Sequence, residues 1–148
     1  MLGVASILHR DTIAVIVGSR TFERGEKCFA QGRVMAVEAA RGELRGAVKP
    51  QESGRAMYAV RIWVRDDGLA YECTCPIGKE RQFCKHAVAI ALAHLQRERE
   101  EADRLARLRA RLLAAPTDAL IDALVLRARH DPALFDTLNQ LGAELGDD

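Results

Sequence analysis

The chain has 148 residues, which is enough for one ordinary domain or for a small domain with an appendage. Apolar residues make up 49% of it, which excludes full disorder, and aromatic residues only 5%, so its core must consist mostly of aliphatic side chains. The 22 basic and 21 acidic side chains leave a net charge of +1, which by itself indicates neither a nucleic acid nor a membrane as partner.

The first part of the chain runs to about residue 31. Its β-branched run, residues 12–17, is consistent with a strand and with a short buried helix, and it is too short for a signal core or a membrane span. Thr21 is the predicted N-cap of a helix through Cys28, which Gly25 weakens. Since four cysteines are too few for a disulfide-rich secreted scaffold, we expect a reducing, cytoplasmic setting and no membrane partner.

The middle of the chain has the pattern of a small antiparallel sheet. Two extended segments within residues 32–49 flank an Arg-Gly turn signal. Residues 55–65 then alternate, with one apolar face and one polar face: Tyr58, Val60, Ile62 and Val64 against Ala59, Arg61, Trp63 and Arg65. The turn sequence at residues 66–68 predicts that residues 69–73 return as the hairpin partner.

The last third of the chain is predicted to be helical. An alanine-rich apolar helix covers residues 85–96, and residues 98–115 continue or follow it, with leucines at helical spacing between charges. Residues 116–118 end that segment and cap the next helix. Asp131 is a cap followed by proline at the first helical position, and the last two helices have the pattern of an antiparallel hairpin.

Three of the four cysteines and one of the four histidines fall within 14 residues, in the pattern C-x-C-x8-C-x-H: Cys73, Cys75, Cys84 and His86. Thiolate and imidazole are the usual donors of tetrahedral zinc sites. The first two cysteines are two residues apart, so both side chains leave the same face of a strand end, and the second pair arrives where the next helix starts. We therefore predict one closed, structural zinc site with no coordination position left for water.

The alternatives are three buried free cysteines with a helix-capping histidine, or a disulfide, which between Cys73 and Cys75 would close a small and strained ring. His94, two turns beyond His86, is an alternative ligand, although a histidine on a polar helix face is the simpler interpretation. Cys28 is distant in sequence and is interpreted as a small core residue.

The segment resembles the SWIM zinc finger, in which C-x-C is followed by a variable gap and C-x-H. The resemblance extends over residues 11–97, and it includes residues 21–25, 32–34, 58–60 and 84–89. Cys28 stands where relatives often have an aromatic residue. The resemblance implies a zinc-bound β-β-α finger that binds DNA or proteins, as in helicase-like ATPases, transposases, recombination accessory proteins and stand-alone proteins of the bacterial cytoplasm or nucleoid.

We therefore expect an α+β fold, a small antiparallel sheet with a zinc-bound β-β-α finger followed by a C-terminal helical extension. The expected domains are residues 1–97, the finger with its helical lead-in and sheet, and residues 98–148, the extension.

The candidate nucleic-acid contacts are three basic side chains that flank the zinc loop and three side chains on the polar strand face: Lys79, Arg81, Lys85, Arg61, Trp63 and Arg65. The tryptophan would stack on a base while the arginines contact phosphate. Alternatively, Trp63 packs under the C-terminal helices and the arginines form an ordinary solvated face. Residues 1–86 carry 14 basic and 10 acidic side chains, a net of +4, so we expect weak, salt-sensitive binding.

The alternative function is that of a protein-interaction adaptor. Residues 116–148 form a leucine-rich segment with 2 basic and 7 acidic side chains, which would dock a larger helicase- or ATPase-containing subunit or a neighbouring domain. Since the sequence has no Gly-rich phosphate loop, no H-E-x-x-H and no G-x-S-x-G, we expect no enzymatic activity and no small-molecule substrate.

Overall fold

A computed structural model describes residues 8–66, 68–80 and 82–144 of the chain. The helices within these residues are α1 (Arg10–Val17), α2 (Ser19–Ala30), α3 (Pro76–Lys79), α4 (Lys85–Ala114), α5 (Thr117–Ala128) and α6 (Pro132–Glu144). The strands are β1 (Val34–Ala40), β2 (Glu43–Val48), β3 (Tyr58–Arg65) and β4 (Gly68–Cys73). This arrangement confirms the predicted α+β class with a C-terminal helical extension.

The four strands form one antiparallel sheet in the order β1-β2-β3-β4, so each strand pairs with its neighbour in sequence. Alternation along β3 puts Val60 and Ile62 in the core, where Ile62 lies opposite Leu44 of β2 and Tyr71 of β4. The predicted hairpin of β3 and β4 is confirmed. Of its turn, Asp66 has a positive φ of 52°, and Asp67 lies outside the described residues.

The N-terminal segment is helical throughout, because the ambiguous run at residues 12–17 belongs to α1. The predicted cap at Thr21 is wrong. The helix α2 begins two residues earlier at Ser19, with Gly18 as an N-cap that makes no side-chain hydrogen bond. A Cβ on Gly25 would lie 2.3 Å from Cγ1 of Val88, so this glycine allows α2 to approach α4 closely. The close packing that this glycine allows offsets the helix stability that is lost by having glycine at this position.

Of the two alternatives for residues 98–115, continuation is the one observed, because α4 is one continuous helix of 30 residues. Every residue from His86 to His94 is buried, whereas residues 96–114 are exposed and mostly charged. The first part is apolar all round and the second has only a leucine stripe, as expected for buried and solvated helix segments respectively. His94 is 5% exposed, so its predicted place on a polar face is wrong.

The chain folds into two compact units, Met1–Glu101 and Ala102–Asp148. In the second unit α5 packs against α6. Pro116 occupies the N-cap position of α5 and makes no side-chain hydrogen bond there. Asp131 caps α6 as predicted, because its Oδ1 accepts a hydrogen bond from the Leu134 N–H at 3.1 Å. The predicted domains, 1–97 and 98–148, stay a prediction. Among the described helices, none is both long and apolar enough to cross a membrane.

Candidate metal centre

The four predicted ligands lie where the sheet meets two helices. Cys73 is the last residue of β4, and Cys75 occupies the N-cap position of the one-turn helix α3. Cys84 directly precedes α4 and His86 is in its first turn. The segment after Cys75, the zinc loop of the sequence analysis, begins with a turn of helix, which Pro76 at the first helical position favours.

The ligand atoms of these four residues lie within 4.8 Å of one another, and His86 Nδ1 is 3.9 Å from both Cys73 Sγ and Cys84 Sγ. Tetrahedral zinc with bonds of about 2.0–2.3 Å requires sulfur–nitrogen separations of about 3.5 Å, so the cluster needs only a small contraction to bind the ion. All four side chains are buried. His94 is not part of the cluster, so its prediction as an alternative ligand is wrong.

Burial and mutual hydrogen bonding set the charge of the metal-free cluster. The Cys84 sulfur accepts hydrogen bonds from Cys73, His86 and the Ala87 N–H, and these contacts, with Cys73 foremost, hold its pKa well below the usual range of a thiol. The contact with Cys84 raises the pKa of Cys73, and burial raises that of Cys75. Cys73 and Cys75 therefore hold their protons in preference to Cys84, and zinc binding must displace those protons.

The fourth cysteine, Cys28 of α2, is outside the cluster. It is 5% exposed and lies in the hydrophobic core, as predicted. Burial raises the pKa of its thiol, partly offset by the positive charges of Lys85 and Arg33. These observations fit a small apolar side chain.

Two residues next to the first ligand pair, Gly78 and Thr74, position it, and sequence reasoning missed both. The Gly78 N–H donates to Cys75 Sγ at 3.2 Å, and a Cβ on Gly78 would lie 2.4 Å from the Cys73 carbonyl oxygen, so only glycine fits there. Thr74 extends the pairing beyond β4, since its hydroxyl accepts the Ala59 N–H at 3.0 Å and its own N–H donates to the Ala59 carbonyl at 3.1 Å. The sequence signal that could have indicated the contact with Cys75 is the glycine three residues after it.

The second ligand pair has an aromatic neighbour that was also missed. The Tyr58 ring packs on the His86 imidazole, with centroids 4.6 Å apart. Such neighbours fix the orientation of a ligating ring. Four donors in a closed, buried and supported arrangement fit one structural zinc ion, with His86 binding through Nδ1.

Residues 58–95 match the SWIM zinc finger. The matched segment, the finger from here on, is 38 of the 148 residues and includes β3, β4, α3, the start of α4 and all four donors. The predicted recognition and the single structural zinc are thereby confirmed. A SWIM finger is a binding module. Neither the curated proteins nor the solved structures gave a match to this chain.

The two arginines among the predicted nucleic-acid contacts on the sheet have acidic partners. Arg61, Trp63 and Arg65 lie on the face of β3 that points away from the core, the outer sheet face. The Arg61 guanidinium forms an ion pair with Glu43 and stacks 4.6 Å from the Trp63 ring centroid. The Arg61 contact, with that of Arg45, lowers the pKa of Glu43 to about 2. Arg65 is exposed, 3.9 Å from Asp66.

The predicted contacts around the zinc loop are distributed differently. Lys79 is exposed at the end of α3 and lines one groove together with Arg61. Lys85 lines a separate cavity at the start of α4, where its Nζ lies 3.2 Å from Gln51 Oε1. Arg81 lies outside the described residues. The structure thus places Lys79 beside the sheet arginine and Lys85 apart from it, and all six residues stay predictions as nucleic-acid contacts.

Proposed function

We propose that the zinc-binding module of this chain binds nucleic acid through its phosphate backbone, as an accessory or regulatory module. The supporting observation is that Lys79, at the end of α3, and Lys85, between the ligands Cys84 and His86, have no ion pair with a carboxylate within the described residues. A lysine without an acidic partner keeps its charge available for phosphate, which supplies most of the affinity of such complexes.

The chemistry of the zinc site supports a binding role. Four protein donors fill the tetrahedral coordination sphere, so the metal would hold the finger in shape and offer no position for a substrate. The proposal therefore gives the chain no catalytic step. The net charge of +4 over residues 1–86 is modest, which favours weak association that depends strongly on salt.

The test is a titration of the zinc-loaded chain with duplex and single-stranded DNA at low and moderate salt, followed by fluorescence anisotropy. We expect binding at low salt, with an association constant whose logarithm falls linearly with the logarithm of the salt concentration. The double substitution of Lys79→Gln and Lys85→Gln should reduce that slope by about 2, one for each phosphate contact. Absence of any binding at low salt by the wild-type chain would refute the proposal.

A second candidate function, a protein-interaction adaptor, is favoured by apolar exposure on the C-terminal unit. Leu126 of α5 is 61% exposed and Phe135 of α6 is 55% exposed, in residues 116–148, which carry 2 basic and 7 acidic side chains. Exposed apolar groups on neighbouring helices are typical of docking surfaces. Affinity purification from the native source tests it: a larger subunit should be retained by the wild-type chain and lost with Leu126→Ser and Phe135→Ser.

A further inference from the structure

A second basic surface lies on the side of the finger where α2 and the sheet meet the start of α4. Five basic side chains line one cavity of about 220 Å³, the basic cleft: Arg24, Lys27, Arg33, Lys49 and Lys85. They come from α2, from the residue before β1, from the residue after β2 and from the first turn of α4. His86, a zinc ligand, also lines the cavity, so the cleft adjoins the zinc site.

No acidic side chain lines the basic cleft, and in the part of the chain that the structure describes none of its five cations forms an ion pair with a carboxylate. Two nearby carboxylates in sequence are paired elsewhere, Glu26 with Arg10 and Glu52 with Arg55. A zinc ion with three thiolates and a neutral imidazole has a net charge of −1. One of the five cations is enough to neutralise the zinc site, so four positive charges of the cleft remain.

Neutral partners hold two of these cations in place without reducing their charge. The Arg33 guanidinium donates to Gln31 Oε1 and to the Pro50 carbonyl oxygen, each at 2.9 Å. The Lys85 ammonium donates to Gln51 Oε1 at 3.2 Å. The Lys49 N–H donates to the Arg33 carbonyl at 2.8 Å, which fixes the start of β1 beside the end of β2. Positioned cations that face a cavity and have only neutral partners are suited to bind a multivalent anion.

We propose that the basic cleft binds a phosphate group of a nucleic-acid backbone. This inference rests on the proposed function for the source of the phosphate, and it assigns the contact to the basic cleft, not to the outer sheet face. The cavity volume corresponds to about seven water molecules, which admits one or two phosphate groups and excludes a base pair. Arginine supplies paired donors for phosphate oxygens, and the lysines supply point charges.

The experiment compares two variants that each lose two exposed positive charges. The cleft variant combines Lys27→Gln and Lys49→Gln, and the sheet variant combines Arg45→Gln and Arg65→Gln on the outer sheet face. Zinc content and far-ultraviolet circular dichroism establish that both variants fold. Each is titrated with inorganic pyrophosphate, followed by amide chemical shifts, and with duplex DNA over a range of salt concentrations.

In the wild-type chain pyrophosphate should shift amides at residues of the basic cleft and not on the outer sheet face. The cleft variant should lose about tenfold or more in affinity for both ligands, since hydrogen bonds to charged groups are the strong ones. For the cleft variant and DNA, the slope of the logarithm of the association constant against the logarithm of the salt concentration should decrease in magnitude by about 2. The sheet variant should stay within about twofold of wild type in affinity.

Different outcomes refute the two proposals. If DNA binds wild type and the cleft variant equally and the sheet variant poorly, the basic cleft is wrong and the nucleic-acid function stands. If no DNA binds wild type at low salt, the nucleic-acid function is wrong, and with it the backbone as source of the phosphate. Free pyrophosphate that still shifts the cleft amides would then identify a site for free phosphates, and the absence of such shifts would refute the cleft altogether.

Discussion

The two compact units of this chain obtain their order in different ways. In Met1–Glu101, residues far apart in sequence meet in one sheet, one core and one zinc site. In Ala102–Asp148, two consecutive helices pack against each other, and α6 begins at a local signal, the cap at Asp131. Order that depends on a metal is lost when the metal is removed, whereas order that depends on local caps is lost one helix end at a time. The comparison predicts that perturbations of each unit stay within it.

Cys84→Ser should have the largest effect. It removes one of four donors, and zinc sites of this type contribute on the order of 10–16 kcal/mol of apparent binding energy at neutral pH in isolated finger peptides. Bound zinc should fall from one ion per chain toward none. Because Met1–Glu101 also has an apolar core, unfolding should be local, with loss of amide protection around the ligands at residues 73–86 while α5 and α6 stay helical.

Cys28→Ser is the matched control for that experiment, since Cys28 is also buried and is outside the cluster. It should retain a full equivalent of zinc by metal analysis. Full zinc retention in Cys84→Ser would contradict the ligand set, and simultaneous melting of α5 would contradict the comparison between the units.

Acidification should have the next largest effect and should again be confined to the finger. The pKa values of Cys73 and Cys75 are raised, so both thiols are protonated at neutral pH and must release about two protons when zinc binds. Zinc affinity should therefore decrease as pH falls, by about two logarithmic units per pH unit near neutrality. Chelator competition at several pH values measures this slope, and a slope near zero would contradict the charge distribution described for the cluster.

Gly78→Ala should weaken zinc binding about 10- to 100-fold, the usual range for residues that orient metal ligands. The added Cβ would meet the Cys73 carbonyl oxygen at 2.4 Å and displace the first ligand pair. Gly142→Ala in α6 is the control, because nothing lies within 4 Å of a Cβ there. That control should leave zinc affinity unchanged and stabilise α6 by up to about 1 kcal/mol, as followed by thermal melting.

Asp131→Ala should have the smallest effect, about 1 kcal/mol on α6, because the Leu134 N–H loses its capping acceptor. Denaturant unfolding followed by helical circular dichroism measures the loss. Asp122→Ala, at an exposed position within α5, should change the stability little. A change in zinc affinity in either variant would show that the two units are coupled, and the comparison would then need revision.

Where the sequence was sufficient, the structural cause is local. Alternation predicted β3, the cap-proline pair predicted the start of α6, and the C-x-C and C-x-H pairs predicted the zinc site. Two of the misses have non-local causes. The burial of His94 depends on what packs around α4, and the steric need for glycine at Gly78 depends on a carbonyl of another element.

The basic cleft is the clearest example of a feature hidden in the sequence. Its cations are spread from Arg24 to Lys85, and each has an ordinary local context. Only the pairing of β1 with β2 and the approach of α2 to α4 bring them together. The predicted contacts on the outer sheet face were easier to recognise, because they alternate along one strand, yet Arg61 has an acidic partner there.

The burial of all four cysteines has a consequence for chemical reactivity. The side chains of Cys28, Cys73, Cys75 and Cys84 are each at most 5% exposed, and Cys75 Sγ also accepts a hydrogen bond from a backbone N–H. An alkylating reagent reaches these sulfurs only when the surrounding structure opens. The rate at which the native chain reacts with such a reagent therefore measures how often the structure around the cysteines opens locally. No label has to be introduced to observe it.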